Sequence, residues 1–553
     1  MKKIFGKAIA AAVASSVVLT ACTSGGDNSD SDDAADTNTS AAAVGSAENA
    51  GGDVTTLAVE REPIKAIYAE IRTEYNNSLD LSDYSLTKNG AAADFSLILE
   101  AEDAVLEGSC KAQGGEGYSG DAFVTLGQGN DRIKFSVDIE NAGLYDLNFV
   151  SHAGDSGREN FVHIDGENSG SIVCNSNGAL VDSFVSNIYL GEGTHEIAVV
   201  PSWGYTDFDC LKITPSTVVD DNTYKITEQL SNPNADEHTK SLYKFLCDIY
   251  GKYSLTGQFA DEGRLSSELK QINKATGKDF AVLGLDMMDY SSANQAHGAS
   301  GNSVEFAYDW YVNAGGIVQM CWHWNSPEEY AIDGEDTPWY QSFYEQNSNI
   351  DLDKIMNGED ERGYQLLMAD IDNIANQLER LRDEGVPVIW RPLHEAAGGW
   401  FWWGDCSPES FKKLWTVMYD KMTNEHNLTN LIWMWNGQDA DWYPGDDCVD
   451  IIAWDIYQGN HVYTSFSGTF AKAVQCSPKG KLVALSENGC VMDPDNVMRD
   501  NARWLFWGTW AEPFTISKGM LNEEYTEKDM LIKAYNHDRT LTLDELPDLK
   551  EYK

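Results

Sequence analysis

Two glutamates stand at the ends of apolar runs, where a buried strand would meet solvent. Glu395 closes Val-Pro-Val-Ile-Trp-Arg-Pro-Leu-His-Glu, and Glu487 closes Leu-Val-Ala-Leu-Ser-Glu. A pair of carboxyls facing each other across a cleft is enough to cleave an acetal. One protonates the leaving oxygen while the other attacks the anomeric carbon, and direct attack needs the two ~5–5.5 Å apart. The acid must hold its proton at rest, so its surroundings must disfavour charge. The nucleophile must stay ionised, which calls for donors such as the Tyr457 hydroxyl or Arg391. Trp400, Phe401, Trp402 and Trp403 follow Glu395 closely. Aromatic faces stack on the C–H faces of sugar rings, and their amphipathic bodies suit a wet cleft. Two of these four are expected in the core. The chemistry needs no metal or organic cofactor.

The elements that must position these groups repeat. Eight apolar runs end in polar residues: 253–258, 280–287, 316–323, 386–395, 428–436, 449–457, 482–487 and 504–510. Amphipathic helices lie between them. The clearest, 364–384, puts Leu367, Ile371, Ile374, Leu378 and Leu381 on one face and stops at Gly385. Eight strands alternating with helices predict an α/β fold, a (β/α)8 barrel over 223–550, with its chemistry at the C-terminal strand ends. Those ends display His323, His394-Glu395, Asn436, Asp455, Tyr457, Glu487 and Trp510. Strands four and seven face each other across the mouth, which opposes Glu395 and Glu487. Of the 17 Trp, 16 fall between Trp310 and Trp510, so the aromatic-lined site belongs to this part.

At this point a resemblance becomes specific. Trp390-Arg-Pro-Leu-His-Glu-Ala-Ala-Gly-Gly-Trp-Phe-Trp-Trp-Gly404 resembles the acid/base segment of glycoside hydrolase family 26, typically β-mannanases, whose pattern is R-P-x-H-E-x-x-G-x-W-F-W-W-G. Gly316-Ile-Val-Gln-Met-Cys-Trp-His323, Asp455-Ile-Tyr457 and Leu485-Ser-Glu-Asn-Gly489 follow in family order. The resemblance implies Glu395 as general acid/base and Glu487 as nucleophile. It implies that Arg391 and His394 orient the acid and nearby sugar, and that Tyr457 positions the nucleophile. It implies that His323, Trp400 and Trp510 line the subsite of the sugar being cleaved, with Asp455 among the substrate-binding residues. Ala396-Ala397 and Asn488 depart from the family pattern. The implied activity is endo-hydrolysis of plant β-mannan. The alternatives are the same chemistry on mixed-linkage glucan or β-1,3-xylan, or a non-catalytic glycan-binding lipoprotein.

Upstream, 93–216 alternates short apolar segments with Gly/Asn/Asp turns, at 95–99, 133–139, 145–150, 161–164, 184–190, 195–200 and 210–213. That pattern predicts an all-β sandwich of jelly-roll type. Leu99-Glu-Ala-Glu-Asp-Ala104 and Trp203-Gly-Tyr-Thr-Asp-Phe-Asp-Cys-Leu-Lys-Ile213 resemble carbohydrate-binding modules of family 35 and the related family 6. In that fold the first and last strands adjoin. Glu100, Glu102 and Asp209 then converge as hard oxygen donors for a structural Ca²⁺, and Trp203 and Tyr205 offer rings to a sugar.

The first 22 residues read as a secretory signal. Lys2, Lys3 and Lys7 precede an apolar stretch that ends in Leu19-Thr20-Ala21-Cys22, which resembles a bacterial lipobox with Cys22 as the lipidated residue. Residues 23–56 hold seven acidic side chains and neither Lys, Arg nor an aromatic, and so read as a disordered acidic linker. Residues 57–92 form a partly helical extension of unclear role. The expected location is extracellular, on the bacterial cell surface, and the expected state is a monomer that meets membrane only through its lipid. A net charge of −49 repels phosphate backbones, which argues against nucleic-acid binding. The nine cysteines after Cys22 are an odd number with no C-x-x-C spacing, so no bridge is assigned.

Overall fold

The computed structural model describes residues 64, 75–76, 78–82 and 85–553, apart from 155–156, 175–177, 203, 217–218 and 220–221. The signal, Cys22, the acidic linker and Trp203 lie outside the described residues.

The first half is two antiparallel sheets packed face to face. One contains Leu97–Glu100, Ala112–Gly114, Ala122–Leu126, Gly143–His152, Val181–Leu190 and Thr206–Pro215. The other contains Val105–Glu107, Arg132–Ile139, Arg158–Ile164, Glu167–Cys174 and Gly193–Pro201. Inward positions such as Ile133, Phe135, Val137 and Ile139 alternate with exposed or half-buried neighbours and fill the space between the sheets. The first strand pairs with the last, Glu100 opposite Cys210. Four strands were not anticipated from the sequence: Val105–Glu107, Ala112–Gly114, Ala122–Leu126 and Glu167–Cys174. Two of these are only three residues long, and Glu167–Cys174 is mostly polar, so none shows a strong alternation.

The second half is a closed parallel barrel of eight strands. They are β1 (Gly257–Phe259), β2 (Val282–Asp286), β3 (Ile317–Cys321), β4 (Val388–Arg391), β5 (Leu431–Trp435), β6 (Ile451–Ile456), β7 (Leu482–Asn488) and β8 (Trp507–Thr509). Gln258 of β1 pairs with Thr509 of β8 and closes the ring. Six of the eight apolar runs contain their strand whole; β1 and β7 each extend one residue past their runs, to Phe259 and Asn488. The helix Glu361–Asp383 is capped by Asp360 and buries the five predicted residues. Gly385, at φ +69°, ends it in a conformation that favours glycine.

Most of the 57–84 stretch, where the partly helical reading falls, lies outside the described residues. Residues 85–89 are bonded to both domains. Thr87 exchanges two hydrogen bonds with the Asn501 side chain, and the Arg503 guanidinium donates to the Ser85 carbonyl. Asn89 bonds the backbone of Leu144 and Ser216 in the sandwich.

Candidate active site

The expected residues converge at the mouth of the barrel, but the two glutamates arrive by different routes. Glu487 lies inside β7. Glu395 does not end β4, which stops at Arg391; it sits four residues further on, in a tight turn. Pro392 supplies no N–H to continue the ladder. The turn puts Leu393 at φ +52° and Glu395 at φ +54°. Such backbone costs on the order of 1–3 kcal/mol and persists only where the surroundings hold it. Here the Glu395 N–H donates to both the carbonyl and the side-chain oxygen of Asn436, at the end of β5.

Irregular pairing aims the other carboxylates. The β6–β7 register shifts between Trp454 and Asp455, and the β7–β8 register shifts between Leu485 and Asn488. Regular pleating sends consecutive side chains to opposite faces, and such bulges re-aim them. Accordingly Ser486 and Glu487 both serve the same network: Ser486 Oγ donates to Asp455 at 2.6 Å, while Glu487 accepts from Arg391.

The result is three carboxylates around one guanidinium. One oxygen from each of Glu395, Asp455 and Glu487 lies within 4.8 Å of the others. Arg391, fully buried, reaches Asp455 at 2.8 Å with one terminal nitrogen and Glu487 with the other. The Tyr457 hydroxyl donates to the second Glu487 oxygen at 2.6 Å. Asp455 also accepts from Asn436 at 2.8 Å. Glu395, among the described residues, receives one donor on its carboxylate, the Trp400 indole N–H at 2.8 Å.

That asymmetry decides where a proton resides. Three ionised carboxylates against one guanidinium would leave a net charge of −2 in a dry pocket, and a buried uncompensated charge is expensive. Burial, together with Asp455 and Glu487, raises the Glu395 carboxyl well above the usual range. Burial also lifts Asp455, to about 7, against the opposing pull of Arg391, Ser486 and Asn436. The best-solvated anions are Asp455 and Glu487, so the shared proton falls to Glu395.

A histidine chain forms the adjoining wall. Asp286, at the end of β2, bonds His323 Nδ1 at 2.5 Å, and His323 Nε2 lies 3.2 Å from His394 Nε2. Asp286 is held below its usual range by His323 despite burial. Burial, then Arg391 and His323, push His394 well below the usual imidazole range, so it is neutral. Its Nδ1 has no hydrogen-bond partner, which fits a proton on Nε2. Trp510 packs on Phe259 at 4.5 Å between ring centres and lies 5.7 Å from His323.

The aromatic segment after Glu395 differs from expectation. Phe401, Trp402 and Trp403 are all buried, three rather than two, and Trp400 alone is half-exposed. Packing consumes the three: Phe401 stacks on Trp403, and the Trp402 and Trp403 indoles donate to the carbonyls of Trp324 and His394. Two network members were absent from the sequence-derived site set. Asp286 is an acidic residue one position before the end of the predicted run 280–287, a readable signal. Ser486 carries none, because a serine beside a glutamate is ordinary.

In the sandwich, Glu100, Glu102 and Asp209 gather at the junction of first and last strands. Ser119 bonds Glu100 through its hydroxyl at 2.8 Å and Asp209 through its N–H at 2.7 Å. Glu100 Oε2 and Glu102 Oε2 are buried without a hydrogen-bond partner. Gly120, at φ +65°, closes over them; a Cβ there would meet Glu102 Oε1 at 2.3 Å. Among the described residues these three carboxylates do not close to the 4.8 Å of the barrel trio. Tyr205 is 65% exposed on its loop.

The model of glycosyl hydrolase family 26 matches residues 231–545, more than half of the chain. The chain belongs to this family. Residues 97–216 match carbohydrate binding module family 35. A Thermothelomyces thermophilus protein named mannan endo-1,4-beta-mannosidase is 37% identical over 453 residues, covering 81% of this chain and 90% of that protein. Mannan endo-1,4-beta-mannosidase B of Piromyces sp is 32% identical, covering 81% and 77%. The crystal structure of Podospora anserina GH26-CBM35 beta-(1,4)-mannanase superposes with a TM-score of 0.58 at 34% identity, over 83% of this chain and all of that one. This family-26 hydrolase therefore combines the two domain types named for a solved relative.

Proposed function

We propose that this protein is an endo-acting, configuration-retaining mannanase that hydrolyses β-1,4-mannosidic bonds in mannan, glucomannan or galactomannan. The family and the printed activities of its relatives support the reaction class. The observation that carries the mechanism is the close approach of Glu395 and Glu487, within 4.8 Å between carboxylate oxygens, which suits direct attack and leaves no room for the water of an inverting enzyme.

Protonated Glu395 delivers its proton to the glycosidic oxygen as Glu487 attacks the anomeric carbon. As the glycosyl-enzyme forms, Glu487 loses its charge, and the local field that held the proton on Glu395 weakens. Glu395 is then the base that deprotonates water, and the second displacement restores the original configuration. Arg391 and Tyr457 hold Glu487 ionised and aligned. Trp400, Trp510, His323 and His394 form the wall against which the reacting sugar lies.

The sandwich is a glycan-binding module; exposed Tyr205 offers a ring to sugar, and Trp203, outside the described residues, is the second sugar-binding candidate. Glu100, Glu102 and Asp209 would hold a structural Ca²⁺ there. The orphaned buried oxygens of Glu100 and Glu102 suit a hard cation, which would neutralise them and tie the first strand to the last. Cys22 is the lipid attachment point, placing the enzyme on the outer face of the cell behind its acidic linker.

The test is Glu395→Ala and Glu487→Ala with azide. Each variant loses several orders of magnitude in turnover on mannan. Azide then yields a retained glycosyl azide from Glu395→Ala and an inverted one from Glu487→Ala. Unchanged turnover in either folded variant overturns the assignment.

A further inference from the structure

A cavity of about 540 Å³ lies outside the catalytic mouth, between the sandwich and the barrel. That is within the ~300–1,000 Å³ of small-molecule sites. The sandwich wall is Val181–Leu190 and the adjoining edge of Glu167–Cys174; the barrel wall is the segment after β6 and the helix Ser467–Gln475. The walls are fixed to each other. Ser467 Oγ donates to the Asn187 carbonyl at 2.9 Å, and a Cβ at Gly468 would approach the Ser186 carbonyl oxygen to 2.8 Å. The Arg499 guanidinium lies 3.9 Å from the centre of the Tyr189 ring.

Its lining is that of a saccharide site. Phe184 is 56% exposed and Tyr189 37%, unusual for rings on a strand at a domain boundary. Seven Ser or Thr residues surround them. Asp165, Glu167 and Asp500 offset Lys472 and Arg499, so the cleft has no single sign of charge to select an ion. Rings for C–H faces, amid many hydroxyl, acid and amine partners for sugar hydroxyls, suit a neutral hexose chain. Gln458, in its wall, directly follows Tyr457, whose hydroxyl donates to Glu487 at the mouth.

We infer that this interdomain cleft is a second saccharide site, built jointly by both domains, that holds a stretch of the substrate polysaccharide beyond the catalytic mouth. The inference rests on the mannanase reading. Phe184 and Lys472 are exposed, one on each wall, and neither belongs to the catalytic network. Phe184→Ala and Lys472→Ala, singly and combined in the full chain, are assayed on glucomannan and on mannotetraose. Each single variant raises KM on the polymer about 3–10-fold and leaves kcat/KM on mannotetraose unchanged. The double variant falls short of the product of the single effects, since both act on one site. An effect from Phe184→Ala alone overturns the proposal, because the sandwich then binds unaided. Unchanged polymer kinetics in both, or equal losses on mannotetraose, also overturn it. Failure of the wild type to cut mannotetraose or glucomannan refutes the mannanase reading instead.

Discussion

The barrel and the sandwich each gather three acidic side chains, and they solve the resulting repulsion in opposite ways. In the barrel, Arg391 stands between Asp455 and Glu487, and neutral donors complete their shells. The one carboxyl left with a single donor keeps a proton. In the sandwich, among the described residues, no guanidinium bonds Glu100, Glu102 or Asp209, though the Lys212 charge acts on Asp209; Ser119 supplies two donors, and two buried oxygens have no partner. A reaction that moves a proton needs charges balanced from within, by groups whose balance shifts as a bond breaks. A cluster with only a structural task has no such need, and its deficit can be met from outside by a cation.

The comparison breaks most severely at Arg391. Arg391→Met leaves Asp455 and Glu487 buried without their counterion. Losing one partner of such a pair costs about 3–5 kcal/mol. Thermal unfolding of the barrel should fall accordingly, and turnover should drop at least ~10³-fold, since one lost preorganised donor alone removes 10²–10³. Full activity in this variant would mean that the guanidinium is not what keeps Glu487 ionised.

Removal of the proposed cation is the corresponding operation in the sandwich. A cation present at 100 times its dissociation constant stabilises the fold by about 2.7 kcal/mol. EDTA should therefore lower the sandwich unfolding temperature by several degrees while hydrolysis of mannotetraose is unaffected. Glu102→Gln should abolish that sensitivity. A calorimetric trace identical with and without EDTA removes the cation from the account.

How much of this was legible beforehand divides along the same line. The barrel's eight strands could be read because parallel strands buried on both faces are continuous apolar runs, and the polar residue ending each run marks the mouth. Glu395, Glu487, Asp455 and Tyr457 were visible for that reason. The turn that displaces Glu395 from its strand was not, because positive φ at Leu393 and Glu395 is imposed by Asn436 from another strand. Ser486 was equally hidden, since its inward aim depends on a register shift that no local pattern encodes. The aromatic segment misled in one respect: three of its rings pack inward because partners far along the chain, Trp324 and Tyr344 among them, receive them. In the sandwich the weak strands are short or polar, and their pairing is set by neighbours.

A smaller effect sharpens the electrostatic side. The acid works only while protonated, so kcat/KM must fall as pH rises through the raised Glu395 pKa. Asp455 is one of the negative neighbours that raise it. Asp455→Asn removes that charge, lowers the proton affinity of Glu395 and should move the alkaline limb to lower pH by about one unit, a differential interaction of about 1.4 kcal/mol. The limb belongs to the coupled carboxylates as a set. A limb that stays in place or moves upward would separate Asp455 from the acid.

The smallest expected effect has the opposite sign. Trp400 donates its indole N–H to Glu395, which favours the ionised carboxylate and so works against burial. Trp400→Phe keeps a ring and deletes the donor. The proton on Glu395 is then held more tightly, and the alkaline limb should shift upward by a few tenths of a unit, in the range of a net ~0.5–1.5 kcal/mol hydrogen bond. The same variant should slow glycosylation more than deglycosylation, because a carboxyl that holds its proton more tightly is a weaker acid and, once ionised, a stronger base. A substrate with an activated leaving group, which needs little acid help, should escape most of that loss and show no larger burst than the wild type. Two opposite shifts from two neighbours of one carboxyl, downward for Asp455→Asn and upward for Trp400→Phe, could not both arise from general disturbance of the site. A downward shift with Trp400→Phe would instead place the ionised form of Glu395 under the control of some other donor and leave Trp400 as a sugar platform alone.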